Sequence, residues 1–155
     1  MSVMISEYKQ QLTLRWADLD PNAHVRHSVY YDFGASLRVD YFTAYGVTFD
    51  AMAEHCIGPV LFREEAVFRH EVRFGDRLWM NLLVTRLRCD GARFSFRHEL
   101  FRDDGIRCAV LHVDGAWIDT GLRKLCIPPD FAREMLEAAP RSTDFEWLDG
   151  EKKQG

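Results

Sequence analysis

The sequence predicts an α+β domain in which an antiparallel sheet of about five strands accompanies one long helix. Apolar residues recur at helical spacing after residue 28, and later segments alternate apolar and polar residues between glycine-containing turns. Such alternating runs are typical of antiparallel hairpins. The order of one strand, one helix and four strands runs from about residue 8 to about residue 120 without a linker or repeat. We therefore expect a single domain.

The first element is expected to be a strand that leads up to a pair of acids. Apolar residues alternate with polar ones ahead of the acids at Leu12, Leu14 and Trp16. Pro21 cannot continue a strand ladder, and Asn22 favours a turn. The strand is therefore predicted to end at Asp18 and Asp20.

A long helix is predicted next. Ser28 is a suitable N-cap residue, and Asp32 in the first turn suits the helix dipole. Apolar residues then recur every fourth position from Val29 to Tyr45, and Gly46 is placed to end the helix. This predicts a largely buried helix of roughly 17 residues, longer than average.

The remainder is predicted to form strands, a short helix and a polar tail. Alternation predicts four strands, over residues 60–68, 78–84, 94–100 and 106–118. An amphipathic helix follows, with Asp130 as its cap. The last segment is polar and expected to be only partly ordered, although Phe145 and Trp147 could dock. The domain is thus expected to span residues 1–139, with a tail over residues 140–155.

Composition limits the classes of function. The net charge of −4 argues against nucleic acid as a primary partner. No apolar run approaches the length of a membrane span, and no signal peptide is recognisable. The four cysteines show no metal-type or redox-type spacing, so we expect reduced thiols in a cytoplasmic protein: Cys56, Cys89, Cys108 and Cys126.

The acids just ahead of the helix point to acyl-transfer chemistry. A helix start presents unpaired N–H groups, here near His27 and Ser28, which can stabilise negative charge on a carbonyl oxygen. Asp20 lies where it could attack that carbonyl or activate a water molecule. Asp before Pro is also a common turn initiator, so a purely structural role remains the alternative.

The motifs in this order resemble the hotdog-fold acyl-CoA thioesterases of the 4-hydroxybenzoyl-CoA thioesterase-like family. Asp-x-Asp-Pro-x-x-His-Val at residues 18–25 precedes the helix that ends at Gly46, and Ile-Gly-Pro-Val at 57–60 and Arg-Phe-Gly-Asp at 73–76 follow. The resemblance covers roughly residues 8–128. It implies a curved antiparallel sheet wrapped around one central helix, Asp20 as the catalytic acid, and active sites between the subunits of a homodimer or homotetramer.

Two departures from this family pattern concern the mouth of the pocket. Many relatives carry two Asn residues after His-Val, where this chain has Arg26 and His27. Relatives also often have a Glu-rich turn before Arg38, which here reads Ala-Ser-Leu at residues 35–37. The departures leave Asp20 in place but make the acyl group the least transferable part of the resemblance.

Neighbouring residues are assigned supporting roles. Asp18 is expected to shape the loop. His24 is expected to position the same loop. The alternatives are that His24 is a catalytic acid or a metal ligand. His-x-x-His in a loop is not the helical pair that faces one metal, and the resemblance implies no metal and no cofactor.

Glu64 shares the parity of apolar strand residues and could be a second acid. Its alternatives are a bulged strand or a position at an interface where Glu64 meets an arginine.

The predicted function is hydrolysis of an acyl-CoA thioester to a free acid and coenzyme A. Arg86, Arg88 and Arg93 lie near one turn and could bind the phosphates of CoA, or could simply be solvated hairpin charges. A hotdog hydratase or dehydratase, in which Asp20 and His24 move protons, is one alternative. A non-enzymatic acyl-CoA binding protein is another, because a fold does not fix a function.

Overall fold

The computed structural model describes residues 3–149, in which a long helix packs against a curved sheet. A short 3₁₀ turn, Trp16–Asp18, precedes the long helix. The strands and helices in chain order are β1 (Lys9–Leu12), α1 (Val29–Ala44), α2 (Phe49–Glu54), β2 (Ile57–Phe68), β3 (Leu78–Asn81), β4 (Leu83–Leu87), β5 (Arg93–Arg102), β6 (Arg107–Asp119), β7 (Lys124–Leu125), α3 (Asp130–Ala138) and β8 (Arg141–Trp147).

The sheet is antiparallel apart from one pair, and β2 lies at an edge. Within the described chain β2 pairs only with β6, which pairs in turn with β5 and β7. The other edge of β5 is shared by β4 and β3, which carry β8 and β1 respectively. Among the strands of residues 3–149, only β4 and β8 run parallel. The architecture implied by the family resemblance, a curved antiparallel sheet around one central helix, is confirmed.

Aromatic residues fill the layer between α1 and the sheet. The rings of Phe42 and Trp117 stack with centroids 5.9 Å apart, and Phe96 lies 6.1 Å from Phe42. Tyr41 is fully buried and its hydroxyl donates to the Met135 carbonyl at 2.8 Å, so its polar end is satisfied. Each such ring contributes roughly 1.5–3 kcal/mol through burial, which fixes the helix on the sheet.

The long helix matches its prediction, but its cap does not. It spans 16 residues, and Gly46 follows with φ +90°, a conformation that favours glycine. Ser28 occupies the N-cap position with φ −69° and ψ −26°, and its side chain makes no capping hydrogen bond. A capping hydroxyl needs extended backbone at its own residue. Ser28 is already helical, so the expected cap is wrong.

The first strand ends earlier than the alternation predicted. β1 stops at Leu12, and Trp16 starts a 3₁₀ turn with its side chain 83% exposed. The Asp18 carboxylate accepts a hydrogen bond from the Arg15 backbone N–H at 2.8 Å, which closes the turn. A side chain that bonds local backbone competes with a strand ladder. The alternating apolar residues therefore do not continue the strand.

The C-terminal segment contains a strand of the sheet. The sequence predicted a partly ordered tail from residue 140, but Arg141–Trp147 forms β8 beside β4. Phe145 and Trp147 do dock, with ring centroids 5.2 Å apart and both packed against the core. The parallel partner strand lies more than 50 residues away in the sequence, so no local pattern announces it. Residues 150–155 of the expected tail lie outside the described residues.

The described chain thus has eight strands, against about five expected. The predicted strand over residues 78–84 is divided at Leu82 into β3 and β4, and α2 and β7 were not predicted. Among the described residues, none of the four cysteines forms a disulfide. Between residues 3 and 149, no helix combines the length and apolar character that crossing a bilayer would take.

Candidate active site

Asp20 borders a cavity of about 360 Å³ between the loop before α1 and the end of β2. The loop is closed by a bridge between Leu19 and Val25. It is tied to the β2–β3 connection by a hydrogen bond from the Val25 N–H to the Val72 carbonyl at 2.8 Å. Tyr30 at the start of α1 and Phe68 at the end of β2 complete the wall. The sheet therefore fixes the position of the acid.

The two oxygens of Asp20 have different surroundings. Oδ1 accepts hydrogen bonds from the backbone N–H groups of Asn22 at 2.9 Å and His24 at 3.0 Å. The Asp20 N–H donates to the His24 carbonyl at 2.8 Å. Within residues 3–149, Oδ2 has no hydrogen-bond partner. One oxygen thus orients the carboxylate, and the other remains available for chemistry.

Asp18 is buried beside the site and does not line the cavity. Its carboxylate accepts from the Arg15 backbone and from Arg15 Nη2, each at 2.8 Å. These hydrogen bonds to Arg15 hold the pKa of Asp18 below its ordinary value. The Asp18 carbonyl also accepts from the Arg26 N–H at 2.8 Å. Its contacts are therefore those of a residue that shapes the loop.

His24 has a side-chain partner that sequence reasoning missed. Its Nε2 lies 2.9 Å from Oε2 of Glu71, and both residues line the Asp20 cavity. The His24 backbone is also bridged to Arg73. Glu71 lies 47 residues from His24 in the sequence, in the connection that follows β2, and no motif distinguishes it. Only the folded chain brings the two together.

The helix start offers unpaired donors near Asp20. His27 lines the cavity, and both His27 and Ser28 are exposed. Their backbone N–H groups make no hydrogen bond to any residue of the described chain, whereas the next N–H, of Val29, donates to the Arg26 carbonyl at 3.0 Å. Burial raises the pKa of the adjacent Tyr30 to about 12, with smaller contributions from Cys108 and Asp20. Its phenol therefore stays protonated at neutral pH.

Glu64 lies away from this cavity. The register of β2 against β6 shifts between Leu61 and Arg63, so Glu64 keeps the face of Ala66 and Phe68 but no longer shares that of Val60. Its Oε2 faces Nη2 of Arg38, on α1, at 3.8 Å. The structure thus contains the bulged strand, and the arginine beside Glu64 belongs to the same chain instead of lying across an interface.

The three candidate CoA-binding arginines do not form one cluster. Arg86 is paired with Glu146 of β8 at 2.8 Å. Arg88 and Arg93 line another cavity of about 180 Å³, where Arg93 lies over the ring of Phe62. Arg93 pairs with Ala116 of β6, whereas Phe68 pairs with Ala109, seven residues along the same strand. In one chain these arginines are thus roughly 23 Å from the Asp20 end.

A metal site was considered for the Asp and His residues of the loop. In the part of the chain described, no three or more His, Cys, Asp or Glu side chains converge as a metal would require. His24 instead contacts Glu71, and the Oδ1 atom of Asp20 is bonded to backbone. The arrangement is that of a carboxylate held beside a helix start.

Comparison with known proteins defines the class. A model of the Thioesterase-like superfamily matches residues 14–136, so the chain belongs to this family, whose class is that of thioester hydrolases. No curated protein sequence matches it.

Solved structures share the fold. Hypothetical protein SAV2348 from Staphylococcus aureus, determined in complex with CoA, is similar with a TM-score of 0.81, 15% identity and 92% of each chain covered. The 1,4-dihydroxy-2-naphthoyl-CoA thioesterase Slr0204 from Synechocystis gives 0.75, 16% identity, and coverage of 84% of this chain and 96% of its own. The probable thioesterase YbaW from Escherichia coli gives 0.73, 22% identity and the same coverages.

Proposed function

We propose that this chain hydrolyses acyl-CoA thioesters to a carboxylic acid and coenzyme A, with Asp20 as nucleophile or general base. The observation that carries the proposal is the free Oδ2 of Asp20 in an open cavity at the start of α1. A carboxylate oriented through one oxygen and free at the other is suited to attack or to accept a proton. The neighbouring structure in complex with CoA supports CoA as the carrier.

The thioester carbonyl oxygen is placed at the unpaired N–H groups of His27 and Ser28. These donors and the helix dipole stabilise negative charge as the carbonyl carbon becomes tetrahedral. In one route Oδ2 attacks that carbon, the C–S bond breaks, CoA leaves as a thiolate and water then hydrolyses the anhydride. In the other, Oδ2 takes a proton from the attacking water. Both end in the same acid and thiol.

A homodimer formed through β2 would explain the unpaired edge of this strand and the separation of the arginines from Asp20 within one chain. β2 is a 12-residue strand whose second edge is unpaired in the described chain, and unpaired edges favour strand addition. Leu61 and Phe62 on this strand are exposed apolar side chains. Antiparallel pairing about the middle of β2 places the Phe68 end of one copy beside the Pro59 end of the other.

This pairing also brings together groups that one chain keeps apart. Arg93 is level with Val60, because both residues pair with Ala116 of β6. The arginines of one copy therefore approach the Asp20 end of the other, where CoA phosphates could reach them. We assign this role to Arg88 and Arg93 and leave out Arg86, because Arg86 lines a separate cavity.

The test is a thiol-release assay over short, long, branched and aromatic acyl-CoA esters, with the wild-type chain and Asp20→Asn side by side. Free thiol from at least one ester, lost in the variant, is the expected result. A change in enoyl absorbance without thiol would instead indicate a hydratase. Tight acyl-CoA binding without either change would indicate a binding protein.

A further inference from the structure

Another cavity lies farther along α1, and the charged side chain of a buried arginine forms part of its wall. Its volume is about 350 Å³, within the range of small-molecule sites. The wall is formed by α1, α2 and β2 and is mainly apolar, including Val39, Phe42, Met52 and Leu61. Among the described residues that line it, only Arg38 is charged, and the Arg38 side chain is 9% exposed.

The sheet holds this guanidinium through a fixed tautomer of His98. His98 is fully buried, and its Nδ1 lies 3.0 Å from the Asn81 carbonyl, which only accepts, so Nδ1 carries the proton. Nε2 is therefore an acceptor and receives a hydrogen bond from Arg38 Nη1 at 3.0 Å. Burial and the charge of Arg38 lower the pKa of His98 to about 3, which keeps the ring neutral.

The absence of a side chain at Gly34 leaves room for the contact between Arg38 and His98. A Cβ there would lie 3.2 Å from Arg38 Nη1 and 3.2 Å from His98 Cδ2. The guanidinium has five N–H donors. Within residues 3–149 the only carboxylate beside it is that of Glu64, which lies 3.8 Å away, beyond hydrogen-bond distance. Donors of Arg38 thus remain available at the cavity wall.

We propose that this cavity binds the acyl group and that Arg38, positioned by His98, selects acyl groups carrying a neutral oxygen, a hydroxyl or a ketone. This inference rests on the proposed hydrolysis of acyl-CoA. Arg38 and Glu64 already balance in charge, so an added carboxylate would leave an excess negative charge in an apolar cavity. A neutral oxygen accepts a hydrogen bond from Arg38 and keeps the balance.

The path from the thioester to this cavity follows one seam. Tyr30 and Phe68, with ring centroids 4.9 Å apart, mark the Asp20 end of the seam between α1 and β2, and Val39 and Leu61 mark the cavity end. Arg38 is nine residues beyond Val29, roughly 13 Å along the helix.

The experiment compares kcat/KM for octanoyl-CoA, its ω-hydroxy derivative and its ω-carboxy derivative, and for phenylacetyl-CoA with its para-hydroxy derivative. The wild-type chain is expected to favour the hydroxylated member of a pair by about tenfold, as a hydrogen bond to a charged group typically allows. Arg38→Met should abolish the preference. Arg77→Met, an exposed arginine outside the cavity, should retain it.

A second variant tests the same proposal even if Arg38→Met does not fold. Glu64→Gln leaves Arg38 without a counter-charge and should shift the preference toward the ω-carboxy ester. Equal kcat/KM within each pair for the wild-type chain, or a preference unchanged in Arg38→Met, would overturn the proposal.

Binding separates this inference from the proposed function. Non-hydrolysable thioether analogues of the same pairs are titrated against the wild-type chain by calorimetry. If no ester releases thiol but the hydroxylated thioether binds more tightly, hydrolysis fails and the role of Arg38 stands. If thiol is released without discrimination in rate or binding, the role of Arg38 fails and hydrolysis stands.

Discussion

Glu71 Oε2 lies 2.9 Å from His24 Nε2, and this contact joins the Asp20 loop to the end of β2. The backbone N–H of the same His24 donates to Asp20 Oδ1 at 3.0 Å. A displacement of His24 would therefore be transmitted to the carboxylate proposed to carry out the chemistry. Glu71 is in this view a positioning residue.

Glu71→Gln is expected to lower kcat on the order of tenfold with little change in KM, because a misplaced catalytic group slows the reacting step more than binding. The measurement is a thiol-release titration on any ester that the wild-type chain hydrolyses. Glu7→Gln is the matched control, since Glu7 forms an exposed ion pair with Lys9 outside the cavity. Equal losses in both variants would remove Glu71 from the mechanism.

Asp20→Asn keeps an oxygen that can accept the two backbone hydrogen bonds but removes the charge on Oδ2. We expect a native melting temperature, near-native acyl-CoA affinity and thiol release at least about 100-fold slower, the lower end of the usual range for a lost base. Asp18→Asn should retain more turnover and lose more stability, about 1–3 kcal/mol, because Asp18 is buried against Arg15. The opposite pattern would exchange the two roles.

The role of the α1 N-terminus in catalysis is tested by variants that displace it. An insertion between Val25 and Ser28, or Ser28→Pro, should depress turnover in a folded protein, because the unpaired N–H groups are displaced from the carbonyl oxygen. Ser28→Ala should change the free energy of unfolding by less than about 0.5 kcal/mol, since its hydroxyl makes no cap bond. Full activity of a thermally normal insertion variant would exclude the helix start from the site.

The edge of β2 is tested by sedimentation at micromolar concentration. The wild-type chain is expected at twice, or four times, the 18.1 kDa mass of one chain. Leu61→Lys should shift it toward the monomer, because a charge on an edge strand opposes pairing. Leu148→Lys is the matched control, with Leu148 43% exposed and Leu61 44% exposed. A fully active wild-type monomer would contradict the dimer proposal.

Buried His98 predicts acid sensitivity. Its pKa falls from 6.5 in the unfolded chain to about 3 in the fold. The contribution of His98 to the free energy of unfolding is fully present above pH 6.5 and is lost as the pH falls toward 3. The reason is that the unfolded chain then binds a proton that the folded chain excludes. The slope is up to about 1.4 kcal/mol per pH unit. Urea unfolding between pH 7 and pH 4 should show it, and His98→Gln should flatten it.

The sequence by itself determined the α1 helix, its end at Gly46 and the place of Asp20 ahead of it. These features rest on local physics: apolar residues repeat with the period of one helix, and proline and glycine restrict the backbone where they stand. Alternation of apolar and polar residues predicted the antiparallel strands, the family resemblance added the wrapping of the sheet around the helix, and both are present in the structure.

Tertiary structure alone decided the pairings between distant segments. Glu71 meets His24, Arg38 meets His98 across 60 residues, and β8 joins β4 although its composition suggested a tail. The bulge in β2 separated the face of Val60 from that of Glu64 and Ala66, because one extra residue turns every later side chain to the other face. Such contacts depend on the register of whole strands, which no short window of sequence contains.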